Sequence, residues 1–225
     1  FFDLVFVFAL TRVTALMAEA PTWHGLLRGV LLLSVIWWSW IGYSWLSNLV
    51  KADEGTARTA MLVAMAAMFL LALAIPEAFD DLPGGLHGPL VLAFCYLLVR
   101  VVHLWLFWIA AEDDPELRAQ LLRFLPSVVG GTVLLAIASQ TSGAIQTVLW
   151  GAAVVADYGG TYLSGTKGWR LNSAKHFAER YGLIIIIALG ESIVAIGVGV
   201  THLAISWPIV VAAILGLTVA GCLWW

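Results

Sequence analysis

Eight long apolar segments, separated by short polar ones, account for most of this 225-residue chain. Runs such as LIIIIALG and AMLVAMAAMFLLALAI are apolar on every side, which favours helices over the alternating strands of a transmembrane barrel. About 20 apolar residues suffice for one helix to cross a bilayer. The pattern therefore predicts eight membrane-spanning helices, at residues 1–17, 26–46, 57–75, 89–111, 121–138, 143–163, 183–201 and 203–225.

The composition also indicates a membrane protein. Hydrophobic residues make up 62% of the chain and charged residues only 11%, whereas soluble domains carry about 25% charged residues. This excludes a soluble enzyme, a DNA-binding module and a disordered linker. Eight spans of about 20 residues leave about 65 positions for the connections, too few for a separate soluble domain. We therefore predict an all-α, polytopic transmembrane helical bundle that forms a single domain over residues 1–225, with the lipid bilayer as its partner.

The ends of the chain and its net charge add two expectations. The chain begins and ends inside apolar segments, so we expect a piece of a longer protein that is truncated at both ends. The net charge of −3 provides no large basic patch, so we expect no nucleic-acid partner. Neither observation predicts an oligomeric state.

Basic residues in the connections predict the orientation of the spans. The second, fourth and sixth connections hold eight lysine and arginine residues, whereas the odd connections hold only Arg28. Because cytoplasmic loops are enriched in Lys and Arg, the even connections are predicted to face the cytoplasm of a bacterial inner membrane. The eight residues are Lys51, Arg58, Arg118, Arg123, Lys167, Arg170, Lys175 and Arg180.

The sixth connection allows two interpretations. Asn172 or Ser173 can cap a short helix that lies at the lipid headgroups, with Trp169 and Tyr181 as interfacial anchors. Alternatively, one helix continues from this segment into the seventh span. The sequence favours neither interpretation.

Six ionisable side chains lie within or at the edge of the predicted spans. Each costs at least about 2.5 kcal/mol in a bilayer unless it has a partner or a water-filled cavity. We expect them to form a charged network at mid-membrane that lines or gates an ion path. The alternative is that the paired charges only fix helix packing. The six are Asp3, Arg12, Arg100, His103, Asp157 and Glu191.

Helical spacing groups several of these side chains. At about 100° per residue, Arg100 and His103 share one face of the fourth span. Glu191 is the first candidate for a proton or cation site, because a carboxylate removed from water is more easily protonated. A neighbouring arginine would instead keep that carboxylate ionised. One side of a continuous seventh helix would carry His176, Glu179, Arg180 and Glu191.

Tryptophan-rich segments allow a second kind of site. The segments WWSWIGYSW and HLWLFW contain enough aromatic rings to form a cage for a cation. Interfacial belts and packing are the more common roles of such residues, and we assign the shallower tryptophans to a cytoplasmic belt and the deeper ones to packing or lipid contact. The shallower ones are Trp45, Trp105 and Trp108, and the deeper ones are Trp37, Trp38 and Trp40.

Motifs of known enzyme chemistry are incomplete or absent from the sequence. The segment from His176 to Arg180 matches the inverse zinc motif HxxEH except at its last ligand, because arginine does not bind zinc. A Gly-x-Ser-x-Gly turn fails at Val194, and there is no P-loop. The two cysteines form no metal-binding pattern. We expect no catalytic residue, no metal, no cofactor and no enzymatic activity.

Two charged segments resemble the signatures of a known family. FFDLVFVFALTRVT at residues 1–14 and HFAERYGLIIIIALGESIVAIGVGV at residues 176–200 are similar to those of the bacterial low temperature requirement A (LtrA) family. The likeness extends over essentially the whole chain in span order and implies a multi-pass bacterial membrane protein. It implies no catalytic residue. The motif positions are Phe2, Asp3, His176, Glu179, Arg180, Gly190, Glu191 and Ser192.

The sequence therefore favours an ion- or proton-linked transporter or channel, with a small ion or solute as its substrate. The alternative is a non-transporting membrane scaffold or stress sensor, in which the buried charges only fix the packing of the helices.

Overall fold

The computed structural model describes residues 2–49, 55–165, 167–169 and 173–225. These residues form eight α-helices and a one-turn 3-10 helix at Ile75–Glu77, and they contain no strand. The predicted all-helical fold is confirmed, and each α-helix coincides with one predicted span. The helices are α1 (Phe2–Glu19), α2 (Trp23–Leu46), α3 (Gly55–Leu73), α4 (Gly88–Ala110), α5 (Pro115–Ala138), α6 (Gly143–Ser164), α7 (Ala174–Gly199) and α8 (Trp207–Trp224).

Six of these helices are long and apolar enough to cross a membrane: α2, α3, α4, α5, α7 and α8. Of the other two, α1 carries Asp3, Arg12 and Glu19 within 18 residues, and α6 carries Asp157 among small and polar residues. The chain is therefore a polytopic helical membrane protein. That α1 and α6 also cross the bilayer stays a prediction.

α5 begins six residues earlier than the apolar pattern predicts, because polar residues form its first turns. Asp114 caps the helix, and its Oδ1 accepts a hydrogen bond from the Leu117 amide at 3.1 Å. Pro115 follows in the first helical position, where a residue without an amide hydrogen loses no bond.

α7 also begins earlier than predicted, at Ala174. It runs without interruption into the apolar segment, so the continuous-helix interpretation of this region is the correct one. Lys51, Arg170 and Asn172, which entered the predictions of orientation and capping, lie outside the described residues.

The chain divides into two compact units, Phe1–Ala174 and Lys175–Trp225. In the first unit, α4 packs against α2, α3 and α5, while α6 packs against α5 and α2. α4 is the most buried of the candidate spans, and it therefore forms the centre of this unit. In the second unit, the side chain of Ile196 on α7 reaches Gly216 of α8, where an added Cβ atom would lie 2.5 Å from Ile196 Cδ1.

Small residues bring α5 and α6 into close contact. A Cβ atom added at Gly160 of α6 would lie 2.2 Å from the Cβ atom of Ser127 on α5, so only glycine fits at this crossing. At the neighbouring Gly159, the same atom would meet no described atom within 4 Å. Contacts between small residues let membrane helices approach closely, and this one holds Asp157 and its surroundings beside α5.

Gly160→Ala is expected to lower the free energy of unfolding by about 1–3 kcal/mol, because the added methyl group forces α5 and α6 apart. Gly159→Ala is the matched control, since it adds the same group to open space in the same helix. The control should leave stability unchanged or slightly raised, because alanine favours helix over glycine. Thermal unfolding of the purified variants in detergent measures the difference, and equal loss in both would contradict this close contact.

The first part of the sixth connection is fastened to α5. Gln120 is fully buried, and its Nε2 donates hydrogen bonds to the carbonyl oxygens of Gly165 at 2.9 Å and Ser164 at 3.4 Å. Gly168 has a φ of 99°, and a Cβ atom there would lie 2.7 Å from the carbonyl oxygen of Glu116. Gly165 and Gly168 of the connection therefore lie against the first turns of α5.

This path turns Trp169 inward. Its ring packs edge-on against Phe107 of α4 at 5.3 Å and Phe124 of α5 at 6.1 Å, and it lies 6.0 Å from Trp45 of α2. Its ring thus joins three helices of the first unit, and its role as a headgroup anchor stays a prediction.

Candidate functional site

The first unit contains a buried ion pair between α4 and α6. Arg100 Nη2 lies 3.5 Å from Asp157 Oδ1, and the two side chains are 2% and 3% exposed. Asp157 Oδ2 also accepts a hydrogen bond from the Tyr96 hydroxyl. Tyr96 and Arg100 are four residues apart and share a face of α4, so one helix turn supplies both groups that hold the carboxylate.

The ion pair bridges a gap, because the backbones of α4 and α6 do not pack directly against each other, whereas α5 packs against both. Asp157 fits beside α5 because residue 131 is a glycine, at which a Cβ atom would lie 3.0 Å from the carboxyl carbon. The guanidinium of Arg100 also lies 5.3 Å from the ring centre of Phe124 on α5, a cation–π distance. Contacts with α5 and α6 thus position an arginine that α4 provides.

Next to the ion pair lies a cavity of about 500 Å³, bordered by α2, α4, α5, α6 and the sixth connection. Small-molecule sites commonly measure about 300–1,000 Å³. The lining extends from Arg100, in the middle of α4, to Gly165 and Trp169 beyond the end of α6. We call it the aromatic cavity, after the six aromatic residues that line it. They are Trp38, Trp45, Phe107, Phe124, Tyr162 and Trp169.

Arg100 is the charged residue of this lining, and no described aspartate or glutamate contributes to it. The Nε atom of Arg100 is buried without a hydrogen-bond partner, and the long contact with Asp157 is the guanidinium's only hydrogen bond among the described residues. A guanidinium has five N–H donors. Most donors of Arg100 therefore make no hydrogen bond to the described part of the chain.

His103 lines the same cavity and is 2% exposed. Its ring lies 4.9 Å from that of Phe107 and 5.4 Å from that of Tyr43. Nε2 lies against the backbone of Gly42, where an added Cβ atom would be 2.8 Å away. Neither ring nitrogen has a partner in hydrogen-bond geometry among the described residues. The predicted common face of Arg100 and His103 is confirmed, because both side chains line one cavity.

Two other predicted charges of the first unit, Asp3 and Arg12, are not among the residues that line this cavity. Asp3 on α1 accepts a hydrogen bond from the Trp40 indole nitrogen at 2.7 Å. Arg12 is half-buried, and its Nε has no hydrogen-bond partner among the described residues. Glu191 lies on α7, in the second unit. Of the six predicted residues, the structure thus brings together Arg100, His103 and Asp157.

The motif residues of span seven all lie on α7. Glu179 faces solvent and forms an exposed pair with Lys175 at 3.9 Å, and Ser192 donates a hydrogen bond to the Ala188 carbonyl within the helix. An added Cβ atom at Gly190 would meet no described atom within 4 Å. The side chain of His176 lies outside the description.

Sequence reasoning missed the groups that complete the site. Tyr96 carried no signal beyond its spacing of four from Arg100, which would have sufficed to pair the two. Trp45, assigned to the belt, and Trp38, assigned to packing, also line the aromatic cavity, which the sequence did not indicate. Trp105 and Trp108 are 47% and 43% exposed, as a belt requires. The described residues hold no group of three or more His, Cys, Asp or Glu side chains arranged to bind a metal ion.

Comparison with known proteins places the chain in a family. The model of the bacterial low temperature requirement A protein (LtrA) matches residues 1–225. An uncharacterized protein of Rhizobium meliloti (strain 1021) is 27% identical over 206 residues, which cover 88% of this chain and 49% of the relative. The chain thus spans about half the length of that relative. No solved structure matches the chain. Because the family match runs from the first residue to the last, this chain belongs to the bacterial low temperature requirement A family of membrane proteins.

Proposed function

We propose that this protein is an ion- or proton-linked transporter, without enzymatic activity, whose substrate occupies the aromatic cavity. The observation that carries the proposal is the position of Arg100, which lies in the middle of a spanning helix and borders an open volume of about 500 Å³. Intramembrane ionisable residues that face a cavity are typical of substrate and ion pathways.

Glu191 is the proposed coupling residue. It lies well inside α7, a helix long and apolar enough to cross the membrane. Carboxylates in such positions commonly relay protons. In this proposal Arg100 and His103 contact the substrate, while Glu191 takes up and releases the coupling proton.

Flux measurements in proteoliposomes test the proposal. Uptake of protons, potassium and a panel of small organic solutes is compared between the wild type and the double variant Arg100→Gln/Asp157→Asn. This variant removes both charges and leaves no buried charge unpaired. We expect uptake of at least one solute to fall by about tenfold or more, because a hydrogen bond to a charged group contributes about 1.5–3 kcal/mol.

Two further variants serve as controls of this experiment. Arg28→Gln/Asp80→Asn removes an arginine–aspartate pair at 2.9 Å that lies outside the aromatic cavity, and its flux should equal that of the wild type. Glu191→Gln should lose the response of uptake to an imposed pH gradient. Absence of flux for every solute, or equal flux in the two double variants, would contradict the transporter proposal.

A second candidate function is a membrane scaffold or stress sensor. It is favoured by the almost complete burial of the Arg100–Asp157 pair, since buried ion pairs can serve only to fix the packing of helices. The same experiment separates the two functions. A scaffold has no flux in the wild type, and the double variant Arg100→Gln/Asp157→Asn changes only its thermal stability.

We also propose that the even connections face the cytoplasm of a bacterial inner membrane. Single cysteines are introduced at Leu86, in the third connection, and at Asp113, in the fourth, after replacement of Cys95 and Cys222. Both positions are exposed. A membrane-impermeant maleimide should label Leu86→Cys in intact cells and Asp113→Cys only after permeabilisation, because positive loops stay on the cytoplasmic side. The reverse labelling pattern would invert the orientation.

A further inference from the structure

We propose that the aromatic cavity selects an organic anion with an apolar body. The anionic group would accept hydrogen bonds from Arg100 and His103, and the body would lie against the aromatic walls. The inference deepens the proposed function and rests on it, in that the aromatic cavity is taken as the substrate site of the transporter.

The charge of the lining decides the sign of the ligand. Arg100 contributes a guanidinium, and no described carboxylate lines the aromatic cavity. Asp157, the ion-pair partner of Arg100, contacts Tyr96 and the glycine at position 131 and does not line the cavity. A ligand in the cavity would therefore meet the positive partner of the ion pair, which attracts an anion and repels an organic cation.

The hydrogen-bonding capacity of the lining points in the same direction. Arg100 makes one long hydrogen bond, and its buried Nε makes none to the described residues. His103, a neighbour on the same face, is buried with both ring nitrogens unpartnered among those residues. A neutral imidazole donates one hydrogen bond and a guanidinium donates up to five. Both residues line the same cavity, and a carboxylate or phosphate oxygen is the acceptor that a guanidinium binds best.

The aromatic walls of the cavity determine the chemistry of the uncharged part of the ligand. Phe107, Phe124 and Trp169 pack together edge-on at one end, and Trp45 contacts the same tryptophan. Rings in this arrangement favour a planar or otherwise apolar body. The volume of about 500 Å³ exceeds what a small inorganic anion fills, so the ligand carries such a body beside its charge.

Binding of three matched probes tests the proposal. Phenylacetate, phenethylamine and 2-phenylethanol share one body and differ in charge. Equilibrium dialysis of radiolabelled probes against the purified, detergent-solubilised protein measures their affinities. We expect phenylacetate to bind at least about tenfold more tightly than the other two, because only the carboxylate uses the donors of Arg100 and His103. Tighter or equal binding of the amine or the alcohol would overturn the proposal.

Variants of the protein distinguish probe that binds in the aromatic cavity from probe that dissolves in the detergent micelle. Arg100→Gln/Asp157→Asn should lose the preference for phenylacetate while it keeps its melting transition, and Arg28→Gln/Asp80→Asn should bind all three probes like the wild type. His103→Phe, which keeps a ring of similar size, should weaken phenylacetate binding severalfold and leave 2-phenylethanol unchanged. Unaltered phenylacetate binding in a folded Arg100→Gln/Asp157→Asn protein would refute the proposed site.

Two additional measurements identify the source of the anion and distinguish failure of the anion site from failure of the transporter proposal. Competition by phosphatidylglycerol but not phosphatidylcholine would keep the anion chemistry and give a lipid headgroup as its source, whereas no competition by either lipid would give a water-soluble anion. Selective binding of phenylacetate by a protein that shows flux of no solute in proteoliposomes would leave the anion site in place and contradict the transporter proposal. Flux of other solutes without preferential binding of phenylacetate would support the transporter proposal and overturn the anion site.

Discussion

Asp157→Leu is expected to destabilise the first unit by about 3–5 kcal/mol, because it leaves the guanidinium of Arg100 buried without its carboxylate. Both side chains are almost fully buried, so the guanidinium loses the carboxylate that balances its charge in a largely dehydrated position. Tyr96 loses the acceptor of its hydroxyl in the same substitution. Thermal or denaturant unfolding of the purified protein in detergent measures the loss.

Two comparisons make this result specific. Asp80→Leu removes the partner of Arg28 from a pair whose aspartate side chain is 80% exposed, and it should cost only about 0–1 kcal/mol. Arg100→Met combined with Asp157→Leu should recover most of the loss, since apolar replacements of both partners in a buried pair are often neutral. A double variant no more stable than Asp157→Leu alone would contradict the view that the unpaired charge causes the loss.

Gly42→Leu is expected to reduce transport to the rate of protein-free liposomes. Gly42 lines the aromatic cavity, and even a single Cβ atom there would lie 2.8 Å from His103 Nε2. A leucine has three further carbon atoms, which must either displace the histidine or extend into the open volume. Close-packed interiors do not absorb such an insertion without movement, so substrate and side chain would compete for one space.

Gly151→Leu is the matched control for this blockage. Gly151 lies on α6, and an added Cβ atom there would meet no described atom within 4 Å. It introduces the same side chain into a helix of the same unit without entering the aromatic cavity, and its uptake should equal that of the wild type. Normal uptake by a folded Gly42→Leu protein would show that the substrate does not pass through this cavity.

The depth of the ion pair follows from the sequence, because it depends only on where the helices begin. Arg100 follows the first residue of α4 by 12 positions, and Asp157 follows that of α6 by 14. At 1.5 Å per residue, these positions lie about 18 Å and 21 Å along their helices. Alternate helices of an up-and-down bundle run in the same direction, so the two side chains reach similar depths. Their pairing could have been predicted on that ground.

Which neighbour packs against each face of a helix could not be predicted from the sequence in the same way. α4 is apolar nearly all round, so its pattern does not say which face meets α5 and which meets the cavity. The sequence predicts that Trp45 and Trp169 are interfacial, because both lie near the ends of predicted spans. Their inward positions depend on the path of the sixth connection, which is determined by Gln120, Gly168 and the first turns of α5. Such contacts between distant segments leave no periodic signal in the sequence.

The hydrogen bonds of Gln120 bear on the rate at which the segment around Trp169 opens as well as on where that segment lies. These bonds hold Gly165, which lines the aromatic cavity. Trp169 follows only a few residues later in the same segment. Detachment of this segment from α5 would be a local opening rather than a global one, so its frequency would depend on these hydrogen bonds and not on the global stability of the fold.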